Sequence, residues 1–203
     1  MTANEKREVD VIIEMMEIYI NAILYKRKLY PEAIFRIRKA YNIPVYISIY
    51  TALNDYITKS LKAARELMRN GKMRRLEVII FQEQENPMES YVFDLNYGGS
   101  VSDKDPNMSA FEEELRKSLL SLDARMKDLI NQAENADMKF KIVLHTTKLA
   151  AVKIGNDPRL QSFPFVQETA VDEADEKSKI ELLPVLQTSR VGINVFVEKY
   201  SAV

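Results

Sequence analysis

The chain has no cysteine and no tryptophan, and it contains one histidine and five glycines among its 203 residues. Without cysteine it cannot form disulfides, thiol nucleophiles or thiolate metal sites, and such a composition suits a reducing compartment, the cytosol or the nucleus. The glycines never fall at the spacing of a phosphate-binding loop, which argues against nucleotide hydrolysis. Histidine chemistry would depend on His145 alone, and a structural role is the more common one for such a residue.

Charge and hydropathy exclude further classes of protein. Lys and Arg number 29 and Asp and Glu number 30, so the net charge of -1 gives no overall attraction to nucleic acid or lipid. Glu14 and Glu17 interrupt the most apolar stretch, and no segment reaches the roughly 18 uncharged apolar residues of a membrane span. The charged N-terminus does not resemble a secretion signal. We therefore expect an intracellular protein that does not bind a membrane.

No residue set predicts catalysis, a metal site or a cofactor. The acidic run Asp172–Glu176 lacks the spacing and the glycine of a calcium-binding loop, so a solvated loop is the favoured interpretation. No nucleophile can be paired with a base from the sequence, which favours a protein that is not an enzyme.

Apolar periodicity predicts three helices. The first covers about residues 5–29 and is apolar on most of its circumference, which is typical of a helix at the centre of a fold. The second begins near Thr51 and stops at Asn70-Gly71. The third begins at a capping box formed by Ser109 and Glu112 and carries a single apolar seam.

Runs rich in β-branched and aromatic residues predict strands between and after these helices. The predicted strands cover residues 45–50, 74–82, 90–95, 138–146, 182–188 and 193–200. The fold class is therefore α+β, with helices against one face of an antiparallel sheet. We expect one domain over residues 1–203, with a loosely patterned segment from about residue 150 onward.

Two local features remain after these assignments. The stretch QSFPFVQE places Phe163, Pro164 and Phe165 among polar neighbours, more apolar surface than a disordered terminus carries. These rings either fill the protein's own core or contact a partner. A basic group, residues 26–39, could meet DNA phosphates, but stacking aromatics are not interleaved with it in the sequence, so DNA binding is the less favoured hypothesis.

The stretch AILYKRKLYPEAIFRIRKAYNIPVYIS, Ala22–Ser48, resembles the HORMA-domain accessory subunits of translesion DNA polymerase zeta. The similarity continues at LNDYI (53–57), YVFDL (91–95), VLHT (143–146) and FVEK (196–199), and spans about residues 9–200. The resemblance implies a HORMA domain, three helices on an antiparallel sheet, with a core of about residues 5–149. It also implies a C-terminal safety belt of about residues 150–203.

The resemblance implies a non-catalytic adaptor of DNA damage tolerance that holds an extended, proline-bearing peptide of the polymerase catalytic subunit under its belt. Tyr56 and Phe165 match the family's aromatic clasp around the partner proline, with Phe163 and Pro164 beside them. Phe165 stands where the family usually has tryptophan. Such a protein belongs to the nucleus, and a cytoplasmic pool is compatible with the resemblance.

A second surface follows from the same resemblance. The family's docking face for the deoxycytidyl transferase of translesion synthesis matches Leu182, Asn194 and Phe196, where asparagine replaces glutamine and phenylalanine replaces tyrosine. A remodelling AAA ATPase is also an implied partner. The arginine that relatives use for self-association falls on Lys117 or Ser118, which leaves a homodimer open.

One alternative keeps the fold and changes the partner. A spindle-checkpoint or meiotic HORMA adaptor would use the same belt to hold a different peptide. The YP to YN stretch, Tyr30–Asn42, favours the polymerase subunit over that alternative.

Overall fold

The computed structural model describes residues 3–82, 87–97, 112–121, 124, 138–158, 160, 179–182, 186–187 and 191–200. Within this part the helices are α1 (Ala3–Lys26), α2 (Thr51–Arg69), α3 (residues 112–121) and α4 (Lys148–Gly155). The sequence did not predict α4, which has only eight residues. It begins where the Thr147 side chain accepts a hydrogen bond from the Ala150 backbone N–H.

Helix α1 lies at the centre of the fold, as its all-round apolar pattern predicts. Its side chains Ile12, Ile18 and Leu24 are all buried although they occupy different faces of the helix. The predicted end at residue 29 is wrong, because the chain turns at Lys28, whose φ is 53°. The backbone N–H of Leu29 then bonds back to the carbonyl of Leu24, which closes the helix end.

A two-stranded antiparallel sheet follows α1. It pairs β1 (Phe35–Ala40) with β2 (Ile43–Ser48). Tyr41 and Asn42 form the turn with φ values of 48° and 65°, the left-handed backbone that a two-residue hairpin turn of type I′ requires. The sequence analysis missed β1, whose cations obscure the alternation, and it placed β2 two residues too late.

Within the described residues, the main sheet has six strands in the order β5-β3-β4-β8-β6, and β7 pairs with β8. The strands are β3 (Met73–Phe81), β4 (Pro87–Tyr97), β5 (Lys139–Thr146), β6 (Lys179–Leu182), β7 (Leu186–Gln187) and β8 (Val191–Lys199). Every pairing is antiparallel, as predicted.

One face of this sheet packs on the helices. Alternate residues of β3, β4 and β8, such as Val78, Phe93 and Val195, are almost completely buried there. The Tyr19 ring of α1 meets the Phe93 ring edge to face at 5.5 Å, and the Tyr19 hydroxyl is hydrogen-bonded to Ser118 of α3. These contacts confirm the predicted arrangement of helices against one sheet face.

A buried ion pair joins the end of α1 to the start of β4. Arg27 Nε contacts Glu89 Oε1, and both side chains are about 95% buried, with exposures of 6% and 5%. Burial raises the pKa of Glu89, whereas the charge and hydrogen bond of Arg27 and the charge of Lys199 act in the opposite direction. Glu89 lies opposite Lys199 in the register of β4 and β8, so the pair is close to the last strand of the chain.

The sheet order places the start of the C-terminal part, α4, and its later strands, β6 and β8, at opposite edges of the sheet. Strand β5 forms one edge of the sheet, and α4 follows it directly in the chain. Strands β6 and β8 lie beyond β4, at the opposite edge. The chain between α4 and β6 therefore connects the two edges, and the outer edge of β5 has no strand partner among the described residues.

Candidate functional site

The outer edge of β5 lies beside α2. The backbone N–H of Ile142 donates a 2.9 Å hydrogen bond to the hydroxyl of Tyr56, so this N–H points away from β3. Backbone groups of alternate residues in an antiparallel strand point in the same direction. The N–H and C=O groups of Phe140 and Leu144 therefore also face outward. They can pair with an added extended segment.

Aromatic side chains line this edge. The Phe140 ring meets Tyr56 edge to face at 5.6 Å and Tyr30 at 6.2 Å. Burial raises the pKa of Tyr30, and the neighbouring Tyr50 and Tyr56 act in the same direction. Ile49 and Tyr50 are each 49% exposed at the rim of this cluster. The edge thus offers backbone hydrogen bonds together with an aromatic surface.

Local hydrogen bonds set the position of Tyr56. The Ser48 backbone N–H donates to the buried Asn21 side chain of α1 at 2.9 Å. The Asn54 side chain of α2 in turn donates to the Ser48 carbonyl at 3.0 Å. The first turn of α2 is fixed between α1 and β2, and Tyr56 therefore projects toward β5.

The Tyr56 hydroxyl stays protonated at neutral pH. Burial raises its pKa, while the bond from the Ile142 backbone and the charge of Lys141 act in the opposite direction. A neutral hydroxyl that accepts one hydrogen bond can still donate its own proton. Tyr56 thus accepts a hydrogen bond from the outward N–H of Ile142 as a neutral hydroxyl.

The predicted belt residues Phe163, Pro164 and Phe165 lie outside the described residues. The structure places Tyr56 of the predicted clasp at the β5 edge, whereas its pairing with Phe165 stays a prediction. Sequence reasoning missed Tyr30 and Phe140. Phe140 lies within the predicted strand 138–146, and a strand pattern alone does not indicate which strand forms a sheet edge.

The residues of the second predicted surface come together on strands β6 and β8. Leu182 lies opposite Phe196 in the register, and Asn194 precedes Phe196 by two residues on the same face of the sheet. Asn194 and Phe196 are both partly exposed on the face away from the helices. The guanidinium of Arg75 lies over the Phe196 ring at 5.8 Å.

Comparison with known proteins assigns the fold to a family. Residues 9–153 match the sequence model of the HORMA domain. The chain belongs to the HORMA domain family. It is 32% identical over 189 residues to DNA polymerase zeta subunit 2 of Drosophila melanogaster, covering 92% of this chain and 93% of that one. It is 26% identical over 191 residues to human mitotic spindle assembly checkpoint protein MAD2B, covering 94% of this chain and 90% of that one.

Solved structures agree with this assignment. A chain from the crystal structure of the mitotic checkpoint complex matches this HORMA domain with a TM-score of 0.75 at 15% identity, over 96% of this chain and 99% of that one. Caenorhabditis elegans HTP-2 bound to HTP-3 motif-6 matches with a TM-score of 0.73 at 12% identity, over 98% of this chain and 92% of that one. At these identities the likeness shows the fold.

A polar network lies on the face of the HORMA sheet away from the helices. Glu77 Oε1 is 3.2 Å from His145 Nε2 and 3.2 Å from Arg75 Nη1. Arg75 Nε also contacts Asp94 at 3.4 Å. The Ser90 hydroxyl contacts Glu77 rather than the imidazole, and Ser90 is fully buried, so these residues do not form a nucleophile with its base. This geometry supports a structural role for His145.

The network makes part of the stability depend on pH. Burial opposes the ionisation of Glu77, but the hydrogen bonds and charges of His145 and Arg75 outweigh it and lower the pKa of Glu77. An acid whose pKa is lowered by folding stabilises the fold above its unfolded-state pKa, and that stabilisation is lost as pH falls through the folded-state value.

We expect the stability advantage of the wild type over Glu77→Gln to shrink as pH falls from about 5 to about 3. Urea denaturation at a series of pH values measures it. Thr58→Ala, at an exposed position on α2 without a titratable group, is the control and should show no such trend. A difference between wild type and Glu77→Gln that is constant across this range would contradict the lowered pKa.

The described residues also bear on metal binding, membrane insertion and self-association. Among the described residues, no group of three or more His, Asp or Glu side chains could hold a metal ion. None of the described helices is long and apolar enough to cross a bilayer. Of the two positions matched to the self-association arginine, Ser118 is buried, whereas Lys117 is exposed and pairs with Glu113 and Glu114. A homodimer stays a prediction, and of these two positions Lys117 is the one accessible to a second copy.

Proposed function

We propose that this HORMA protein is the accessory subunit of a translesion DNA polymerase zeta and captures an extended, proline-bearing segment of the catalytic subunit. The observation that carries the proposal is the outer edge of β5, where the Tyr56 hydroxyl binds the Ile142 N–H. The similarity to DNA polymerase zeta subunit 2 supports the choice of partner. The protein acts in the nucleus during DNA damage tolerance, and it performs no catalysis itself.

The edge of β5 explains how such a segment binds. The outward backbone groups of Phe140 and Leu144 pair with the main chain of the segment, as in strand addition at a sheet edge. At Ile142 the outward N–H is already bonded to the Tyr56 hydroxyl, so the segment needs no acceptor at this point. A proline next to it has no N–H to leave unpaired, and its apolar ring packs against the aromatic rings.

The path of the C-terminal part supports enclosure of the segment. The chain leaves the sheet at the β5 edge and re-enters it as β6 at the opposite edge. A segment bound along β5 lies where this connection begins, so the part of the belt that precedes β6 is the part proposed to close over it. Phe165 of the belt then packs against the partner proline from the side opposite Tyr56.

The face formed by Leu182, Asn194 and Phe196 is the proposed docking surface for the deoxycytidyl transferase that works beside polymerase zeta. Arg75 adds a cation over the Phe196 ring, which holds the ring in a fixed orientation. Because this face and the β5 edge are at different parts of the sheet, both partners can bind at once. A remodelling AAA ATPase is the proposed factor that opens the belt.

We expect a labelled proline-bearing peptide of the catalytic subunit to bind the wild type tightly, and Phe165→Ala to weaken that binding by at least about tenfold. The melting temperature should be unchanged, because the ring contacts the partner. Fluorescence anisotropy and a thermal melt measure the two quantities. Tyr97→Ala is the matched control, since it removes an exposed aromatic ring from β4, which does not pair with β5.

Two other results would contradict the proposal. A large fall in the melting temperature of Phe165→Ala, with peptide affinity retained, would mean that Phe165 fills the protein's own core. If the folded wild type does not bind the peptide, the polymerase catalytic subunit is not the partner.

A second candidate function has support from the similarity to MAD2B, which is named as a mitotic spindle assembly checkpoint protein. In that case the same β5 edge holds a peptide from a checkpoint or meiotic partner. A competition titration separates the two functions, because the true partner peptide displaces the other at lower concentration.

A further inference from the structure

A separate surface on the β1–β2 hairpin carries a concentration of positive charge. Residues 26–39 contain six cations and a single acid, Glu32. The fold turns Arg27 inward to Glu89, whereas Lys28, Arg36, Arg38 and Lys39 are exposed. Among the described residues, Lys28, Arg38 and Lys39 make no ion pair with a carboxylate. The protein as a whole has a net charge of only -1, so this charge is local.

The fold brings aromatic and apolar side chains between these cations. The Tyr25 and Tyr46 rings stack at 3.6 Å with an angle of 12° between their planes, and Lys26 Nζ lies 5.8 Å from the Tyr46 ring centre. Ile37 is opposite Tyr46 in the hairpin register, so both are on the same face. Ile37 is 65% exposed, although it is a large apolar residue.

A groove runs beside this face at the end of the hairpin. Its volume is about 370 Å³, near the lower limit of roughly 300 Å³ for small-ligand pockets. It is lined by Ile37, Arg38, Lys39, Asn42 and Pro44. Ile37, Lys39 and Pro44 lie on the same face as Tyr46, whereas Arg38, opposite Val45, lines the groove from the other face of the hairpin.

We propose that this hairpin surface, defined by Lys26, Ile37, Arg38, Lys39 and Tyr46, binds single-stranded nucleic acid. The cations contact phosphates, while the exposed Ile37 and the tyrosine pair pack against unstacked bases. A duplex keeps its bases stacked inside, so Ile37 would have no base face to contact. An acidic peptide matches the cations but not the flat apolar surface between them.

This surface shares no residue with the β5 edge, so nucleic-acid binding is a further function beside peptide capture. It also revises the expectation from sequence that aromatics are not interleaved with the basic group. Tyr46 comes from β2, and its pairing with β1 places it opposite Ile37, on the face that also carries Lys39. The packing of α1 then brings Lys26 Nζ to 5.8 Å from the Tyr46 ring centre.

The test is a titration of the full-length protein into a fluorescein-labelled oligo-deoxythymidylate, followed by anisotropy at several salt concentrations. Arg38→Glu combined with Lys39→Glu should weaken binding by at least about tenfold and lower the salt slope by about one to two units. Ile37→Ser should weaken binding several-fold and leave the slope unchanged. Lys148→Glu with Lys153→Glu, exposed cations of α4, is the control with the same charge change.

Several outcomes would overturn the proposal. They are no salt-dependent binding by the wild type, equal loss in the α4 control, equal affinity for a duplex of the same length, or equally effective competition by poly-glutamate. A thermal melt confirms that each variant is folded. Peptide affinity, measured on the same Arg38→Glu and Lys39→Glu variant, should equal that of the wild type, which separates this function from peptide capture.

Discussion

Glu89→Ala is expected to lower the free energy of unfolding by about 3–5 kcal/mol, the cost of leaving a buried charge without its partner. The substitution removes the carboxylate that Arg27 contacts, and the guanidinium stays buried at the end of α1. Urea denaturation measures the loss. Because Glu89 faces Lys199 of β8 in the register, we also expect faster hydrogen exchange in the last residues of that strand.

A double variant separates the charge from the packing. Arg27→Met combined with Glu89→Leu should recover most of the lost stability, since an apolar pair of similar volume carries no desolvation cost. The exposed pair of Arg69 with Asp10 is the control, and Arg69→Ala should change stability by less than about 1 kcal/mol. A loss below about 1 kcal/mol for Glu89→Ala would show that the buried pair contributes little.

Tyr56→Ala is expected to weaken binding of the proline-bearing peptide by about a hundredfold, and Tyr56→Phe by about threefold to tenfold. Alanine removes both the ring that meets Phe140 and the hydroxyl that binds Ile142, whereas phenylalanine removes the hydroxyl alone. The difference between the two variants is therefore the contribution of the ring. Fluorescence anisotropy with the same peptide measures both affinities.

Hydrogen exchange provides a second readout for Tyr56 that does not depend on the partner. The Ile142 amide should exchange faster in both variants than in the free wild type, because its acceptor is gone. An affinity of Tyr56→Ala within about threefold of the wild type would place the peptide away from this ring. Unchanged exchange at Ile142 would mean that the Tyr56 hydroxyl does not protect this amide.

The helices and the family were accessible from the sequence because their signals are local. The all-round apolar pattern of α1 predicts its central position, and the stop at Asn70-Gly71 agrees with the end of α2, where Gly71 has a φ of 60°. The resemblance at residues 22–48 identified the HORMA domain, which the family match confirms. Strand β1 was not predicted from the sequence. Only Phe35 of this strand is buried, and its exposed cations obscure the alternation of apolar and polar residues.

The sequence by itself determined which faces of the helices and strands are apolar, and hence an α+β domain with helices on one side of an antiparallel sheet. Only the tertiary structure decided which strands are neighbours, because alternating patterns in β4, β5 and β8 are equally compatible with several sheet orders. Pairing of β8 with β4 leaves β5 at the edge. Contacts across long sequence separations then complete the sites: Tyr56 reaches Ile142, 86 residues away, and Arg27 turns inward to Glu89 while Lys28 stays exposed.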